Sequence, residues 1–219
     1  MPRLTKPDRS DVPEQEREHY DLVVARDPHM VIDLDPADPW YEPEYMGGYF
    51  GMLLNSPPLA AALTRLSVLV RTTGGREGTY SHVDREFVDQ VLSVDWGTNI
   101  VMRTHLPDAL AAGVRPEAIL ALREGREEDL TEDEQLLARY VRQVVDGGVT
   151  DETFRAIRDR LGSDRGVLEY TLFIGVLQLT MRMMQALGVR DVPDEEFDAM
   201  LRSFLDGTRP LPDPSARLR

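Results

Sequence analysis

The 219-residue chain contains no cysteine, a single lysine and four histidines. Without cysteine it has no thiolate nucleophile, no disulfide, no thiol peroxidase chemistry and no thiolate metal site. The one lysine, Lys6, sits in the polar opening stretch MPRLTKPDRS. That placement argues against a Schiff-base lysine and a phosphate-loop lysine. His19, His29, His82 and His105 include no pair at the H-x-x-x-H spacing of a helical zinc site. No G-x-G-x-x-G follows a strand-like run. The most apolar segment, residues 170–181, is shorter than the roughly 20 residues that span a bilayer. The opening stretch also lacks the apolar run of a secretory signal. The chain is therefore expected to be soluble and cytoplasmic.

Charge narrows the partners. The formal net charge is -14, which repels phosphate backbones and anionic lipid, so neither nucleic acid nor membrane is expected as a partner. A helical transcription regulator is excluded on the same ground, because no helix carries a basic stripe. What remains is chemistry that carboxylates, imidazole, hydroxyls and arginine can perform.

Periodicity predicts helices almost throughout. Residues 1–12 are polar and proline-punctuated, and 13–26 form a first helix. Residues 30–34, flanked by Pro28, Pro36 and Pro39, read as a short strand in an extended arm. A helix over 41–54 contains Gly47, Gly48 and Gly51, a costly set unless another backbone or a ligand comes close. Pro57 and Pro58 open the next helix, which ends at Gly74-Gly75. Ser81 with Asp84 forms a capping box that starts a helix ending at the Trp96-Gly97 turn. The following helix holds Pro107, which is expected to kink or interrupt it just after His105, and closes at Gly113. Further helices are expected at 116–123, from a Thr131–Glu134 capping box to Gly147, from a Thr150 cap to about Leu161, at 166–187 and near 195–205. The helix over 166–187 is apolar nearly all round, so it belongs in the core or in an oligomer interface. The sum is one all-α domain: an arm over 1–40, a helical domain over 41–207 and a tail over 208–219.

Two side chains in the central pair of helices carry the functional reading. Glu86 falls just outside the apolar arc made by Val83, Phe87, Val88, Val91, Leu92 and Val94, where it reaches either water or the rim of a cavity. His105 lies at the centre of the apolar face that also carries Thr98, Val101, Met102, Ala109 and Ala112. A lone histidine there is either a satisfied core residue or a base in an apolar pocket.

The stretches YFGMLLNSPPLAAALTRLSVLVR, DREFVDQVLSV, THLPDALAAGVRPEAILALREG and LEYTLFIGVLQLTMRMMQALGV occur in that order between Tyr45 and Val189. Together they resemble the carboxymuconolactone decarboxylase and alkyl-hydroperoxidase D-like superfamily. The resemblance implies an AhpD-like helical bundle, here with an N-terminal extended arm. It places Glu86 at the family's functional glutamate and His105 at its motif histidine. Peroxidatic members carry C-x-x-C ending four residues before that histidine; here those positions are Thr98 and Val101. The Tyr-Glu-Trp of many cysteine-free members is Ile100-Val101-Met102. The resemblance thus carries over Glu86 and His105 alone and implies a homo-oligomer, a trimer or a multiple of trimers.

The implied activity is cofactor-independent acid/base chemistry: decarboxylation, isomerisation or cyclisation of a small carboxylated or lactone-like metabolite. His105 would be the base or proton shuttle and Glu86 its partner. Arg71 is the candidate for a substrate carboxylate. Arg103 ranks below it, because it points about 160° away from His105 on an ideal helix. Thr98 and Asn99 are candidate hydrogen-bond donors, and Trp96, Val101 and Met102 complete the candidate substrate-binding set. No metal and no cofactor is expected. The alternative is a non-catalytic ligand-binding or scaffold protein that kept the fold; it is favoured by the loss of both motif sequences.

Overall fold

The computed structural model describes residues 3–27 and 46–210. Among the described residues there are ten α-helices and no strand. The strand expected at 30–34 and most of the expected tail lie outside them. The chain divides into two compact units, 1–69 with 182–191, and 70–181 with 192–219. Helices α3 (Pro57–Glu77) and α9 (Asp164–Leu187) contribute residues to both.

In the first unit, α1 (Arg17–Asp27) follows two short 3-10 turns, and α2 (Met46–Leu53) packs against it. The described part of the opening segment is tied down at Arg3 and Thr5. Arg3 N–H donates to the Leu187 carbonyl at 2.8 Å, and the Asn55 amide donates to the Thr5 carbonyl at 2.8 Å. A methyl on Gly51 would press on the Lys6 side chain at 3.1 Å, whereas one on Gly48 would meet nothing within 4 Å. A close approach therefore accounts for Gly51 and not for Gly48.

The second unit is built around α4 (His82–Asp95) and α5 (Asn99–Ala112), joined by a reversal at 96–98. Gly97 takes a positive φ of 59° there. The Ser81–Asp84 capping box starts α4 as its sequence predicts. Helices α6 (Pro116–Glu124) and α7 (Glu132–Asp146) pack on α4; α8 (Asp151–Leu161) packs on α7, and α10 (Asp194–Leu205) on α5. Thr131 with Glu134 forms the second predicted capping box, Thr150 caps α8, and Gly113 and Gly147 close their helices in the left-handed conformation.

Two expectations need correction, and a third is met on one side only within the single chain. Helix α3 does not end at Gly74-Gly75 but runs on to Glu77. Gly74 is there for room: a methyl at that position would collide with the Tyr80 ring, which folds back so that its hydroxyl donates to the Val70 carbonyl. Helix α5 continues unbroken from Asn99 through Pro107 to Ala112. Packing on both sides of Pro107, with Leu106 and Ala109 at 0 % exposure, holds the turn that lacks one backbone donor. Helix α9 is not buried all round. Tyr170, Phe173, Ile174, Leu177 and Met181 fill the core, while Leu168, Leu172 and Leu179 stay exposed. By length and composition α9 passes for a membrane span, and 44 % of that window is buried inside the fold.

Candidate functional site

Helix α4 is packed on both faces, and this decides the fate of its polar residues. Phe87, Val88, Val91 and Leu92 bury the expected apolar arc. Glu86, Asp89, Gln90 and Ser93, at positions i, i+3, i+4 and i+7, form a second stripe, and each is at most 1 % exposed. Glu86 therefore does not sit at a wet edge. It is fully buried, which a carboxylate tolerates only with partners.

The partners are close. Glu86 Oε2 lies 3.0 Å from His105 Nδ1. Its Oε1 accepts from Arg85 Nε at 3.0 Å and from a terminal nitrogen of Arg85 at 2.8 Å. His82 Nε2 is 3.3 Å from the same oxygen, although it is not aligned for a hydrogen bond. Asp89 is held by Arg71, whose two terminal nitrogens sit 3.3 and 3.2 Å from its two oxygens. Asp89 is also 3.6 Å from His105 Nδ1. Arg71 stacks over the Phe173 ring at 5.3 Å and reaches to 3.4 Å from His105 Nε2. The Arg71 carbonyl in turn accepts from Arg85 at 2.8 Å, which links the end of α3 to α4.

These contacts set the form of the imidazole. A carboxylate only accepts, so Nδ1 carries the proton that faces Glu86. A guanidinium only donates, so the nitrogen beside Arg71, Nε2, presents its lone pair. In that tautomer the Nε2 lone pair points away from the carboxylate and lies next to a fixed positive charge. Burial by itself pushes the Glu86 carboxyl up. His105, His82 and Arg85 outweigh that and hold it well below the usual carboxylate range. Burial likewise works against the Arg71 charge, but Asp89 and Glu86 more than restore it.

A group whose pKa is lowered by folding stabilises the fold above its unfolded value and loses that contribution as pH falls through its folded value. The stability difference between the native chain and Glu86→Gln is therefore expected to be complete at pH 7. It should close as pH drops below the ordinary carboxylate value of about 4. Urea unfolding of both proteins across that range measures it; a gap that stays constant down to the acid end contradicts the assignment.

The donor atoms of Glu86, Asp89 and His105 all lie within 4.8 Å of one another, the compactness of a metal-ligand set. Two guanidiniums already balance the two carboxylates, so a divalent cation there has to displace Arg71. Both polar ends of the Gln90 amide, one turn beyond Glu86, are buried without a hydrogen-bond partner among the described residues.

The other candidates from the sequence lie around this cluster in different states. Arg71 joins it directly. The Asn99 amide donates to the Val192 carbonyl at 2.9 Å and to Asp194 at 2.7 Å, which engages it with the start of α10. Thr98, Val101 and Met102 are buried, and Trp96 is half-buried at the end of α4. Arg103 pairs with Glu196 at 3.2 Å. Sequence reasoning passed over Asp89, Arg85, His82 and Gln90. The signal was the i, i+3, i+4, i+7 run of polar residues opposite an apolar arc, which marks a helix with two buried faces. A shallow hollow lined by Glu127, Glu128, Gln135, Arg139, Arg142, Gln143 and Asp146 lies among other residues and carries none of this chemistry.

A solved structure has the same architecture. It is described as an alkylhydroperoxidase AhpD core, an uncharacterized peroxidase-related protein from Ralstonia eutropha JMP134. It superposes with a TM-score of 0.61 over 90 % of this chain and 94 % of that one. The fold is AhpD-like. At 16 % sequence identity the likeness extends to the fold and no further. No protein-family model matches the chain, and no curated protein matches it. Within the AhpD-like fold this chain has no cysteine, so the thiol chemistry that a peroxidase-related name suggests has no residue here to perform it.

Proposed function

We propose that the chain is a non-redox acid/base enzyme in which His105 Nε2 is the base. The observation that carries this reading is the pairing of that nitrogen with Arg71 at 3.4 Å on the less buried side of the cluster. The side chains of His105 and Arg71 keep 13 % and 24 % exposure, against 0 % for Glu86 and Asp89. A substrate therefore meets a base and a cation first. Nε2 removes a proton from carbon next to a carbonyl or carboxylate, and the negative charge that develops on oxygen falls beside Arg71. Glu86 accepts from Nδ1–H throughout and stabilises the imidazolium that forms. Asp89 keeps Arg71 in place. Returning the proton to another carbon gives isomerisation; attack of the carbanion on a carbonyl carbon of the same molecule, with the proton returned to the resulting alkoxide, gives cyclisation; loss of carbon dioxide from the substrate carboxylate, with the carbanion taking a proton from an Nε2–H that has itself drawn it from water, gives decarboxylation. The substrate class is a small carboxylated or lactone-like molecule.

The test is carbon-bound hydrogen exchange. Small carboxylates and lactones are incubated with the protein in D2O and followed by NMR for loss of C–H signal, ring opening or carbon dioxide release. The native chain is expected to exchange at least one of them, and His105→Gln to exchange none while keeping its helical spectrum. Exchange at the native rate in His105→Gln removes the base assignment. Saturable binding without exchange in the native chain favours a ligand-binding protein instead.

A further inference from the structure

Glu86 lies between two imidazoles, and one of them, His82, has no part in the proton transfer. Glu86 Oε2 meets His105 Nδ1 at 3.0 Å, and Oε1 lies 3.3 Å from His82 Nε2. His82 is the first residue of α4, one turn before Glu86 and on the same face. Its Nε2 is buried and has no hydrogen-bond partner among the described residues, whereas Nδ1 is not buried. The side chain as a whole is 27 % exposed, so water reaches the ring from the side away from Glu86.

The two oxygens of one buried carboxylate therefore join an imidazole in the site to an imidazole in contact with solvent. Among the described residues, Glu86 is the one carboxylate within ion-pair distance of His82. The other charged groups around the pair are Arg85, on the same Oε1, and Arg71 with Asp89 on the His105 side; Asp108 of α5 acts on Arg71 through space. The arginines keep their charge at every working pH, whereas an imidazole changes its charge between about pH 5 and 8. A proton taken up from water at Nδ1 of His82 leaves Nε2–H beside Oε1, with a positive ring 3.3 Å from a buried anion. Two imidazoliums then compete for one carboxylate, in surroundings where water screens little.

We propose that His82 is a positioning residue that sets the basicity of His105 through Glu86, protonation of either imidazole weakening the hold of the shared carboxylate on the other. With His82 neutral, Glu86 gives its charge to His105, and Nε2 is at its most basic. With His82 protonated, part of that charge is taken up at Oε1, and Nε2 binds a proton less well. The inference rests on the acid/base role proposed for His105, and it gives control of that role to a side chain that solvent can reach. The coupling is reciprocal: what a proton on His82 does to His105, a proton on His105 does to His82.

Histidine ring signals followed by NMR over about pH 4–9 test it, with His82→Gln and His105→Gln to assign them. In the native chain each of the two imidazoles is expected to show the midpoint of the other as a second inflection. Replacing the partner removes that inflection. It also raises the midpoint of whichever imidazole titrates at the lower pH, by about one unit. The sign follows from charge: the last proton is bound against a neighbouring cation, and glutamine removes that cation. His19→Gln, on α1, moves neither curve. A side chain that only packs the start of α4 gives independent titrations, and midpoints that stay in place when the partner is replaced overturn the proposal. So does a His105 ring that keeps one form over the whole range in both the native chain and His82→Gln. No substrate enters the titration, so uncoupled histidines leave the base assignment standing, and failure of the D2O exchange leaves the measured coupling as it is.

Discussion

Asp89→Ala lowers the stability of the folded chain by about 3 kcal/mol, the low end of what breaking one half of a buried ion pair costs. For a chain of this length that is a fall in melting temperature of roughly 6–12 °C. Asp89 is fully buried and takes both terminal nitrogens of Arg71, at 3.2 and 3.3 Å. Without it, Arg71 keeps its charge, loses its bidentate partner and is left against the Phe173 ring and the His105 imidazole. The loss is one of desolvation rather than of a single contact, and this makes a sharper expectation available. Removing both charges, in Asp89→Ala with Arg71→Met, recovers most of the stability, because no unpaired charge remains buried. Calorimetry on the two single variants and the double variant decides it. Losses that simply add would mean that the two side chains do not act as a pair.

The second large effect is on turnover. Once a substrate is found by the exchange screen, Glu86→Gln is expected to lower kcat by about 10²–10⁴-fold, the usual contribution of a positioned acid/base partnership. KM should move much less, since Arg71 and the open side of His105 are unchanged. The reason is the 3.0 Å contact between Glu86 Oε2 and Nδ1. A carboxylate can only accept there, whereas an amide can also donate. Glutamine therefore no longer enforces the tautomer that leaves Nε2 basic, and it no longer carries the charge that stabilises an imidazolium. Steady-state rates of the two proteins give the answer. Equal loss in kcat and gain in KM would instead place Glu86 in substrate binding.

Much of the fold was legible because its signals are local. The Ser81–Asp84 and Thr131–Glu134 capping boxes and the glycines at 113 and 147 fixed helix ends in the chain before any packing was considered. The misreadings came where packing overrode a local rule. Gly74-Gly75 looked like a stop, yet α3 continues because Tyr80 occupies the space beside Gly74. Pro107 looked like a break, yet the buried neighbours of α5 hold the turn. The site divides in the same way. Glu86 and His105 were found from their places on two helices, and the structure brings them into contact. The burial of Glu86 was missed because a single apolar arc was counted on α4, whereas the helix is covered on both sides. Asp89 went unremarked for the same reason. Arg71 was named as a carboxylate binder, but its engagement with Asp89 depends on how the end of α3 approaches α4, which no spacing in either helix reveals.

The balance of charge inside the cluster has a consequence for ionic strength. Arg71, Arg85, Glu86 and Asp89 sum to zero and are largely screened from water by the helices around them. Dissolved salt acts over a Debye length of about 8–10 Å in solution and reaches buried pairs poorly. The outside of the molecule is another matter: its net charge of -14 is unbalanced and in contact with solvent. Added salt therefore relieves repulsion at the surface and favours the compact state, while the ion pairs of the cluster are little weakened. The protein is in this sense salt-responsive on its exterior and salt-indifferent at its chemical centre.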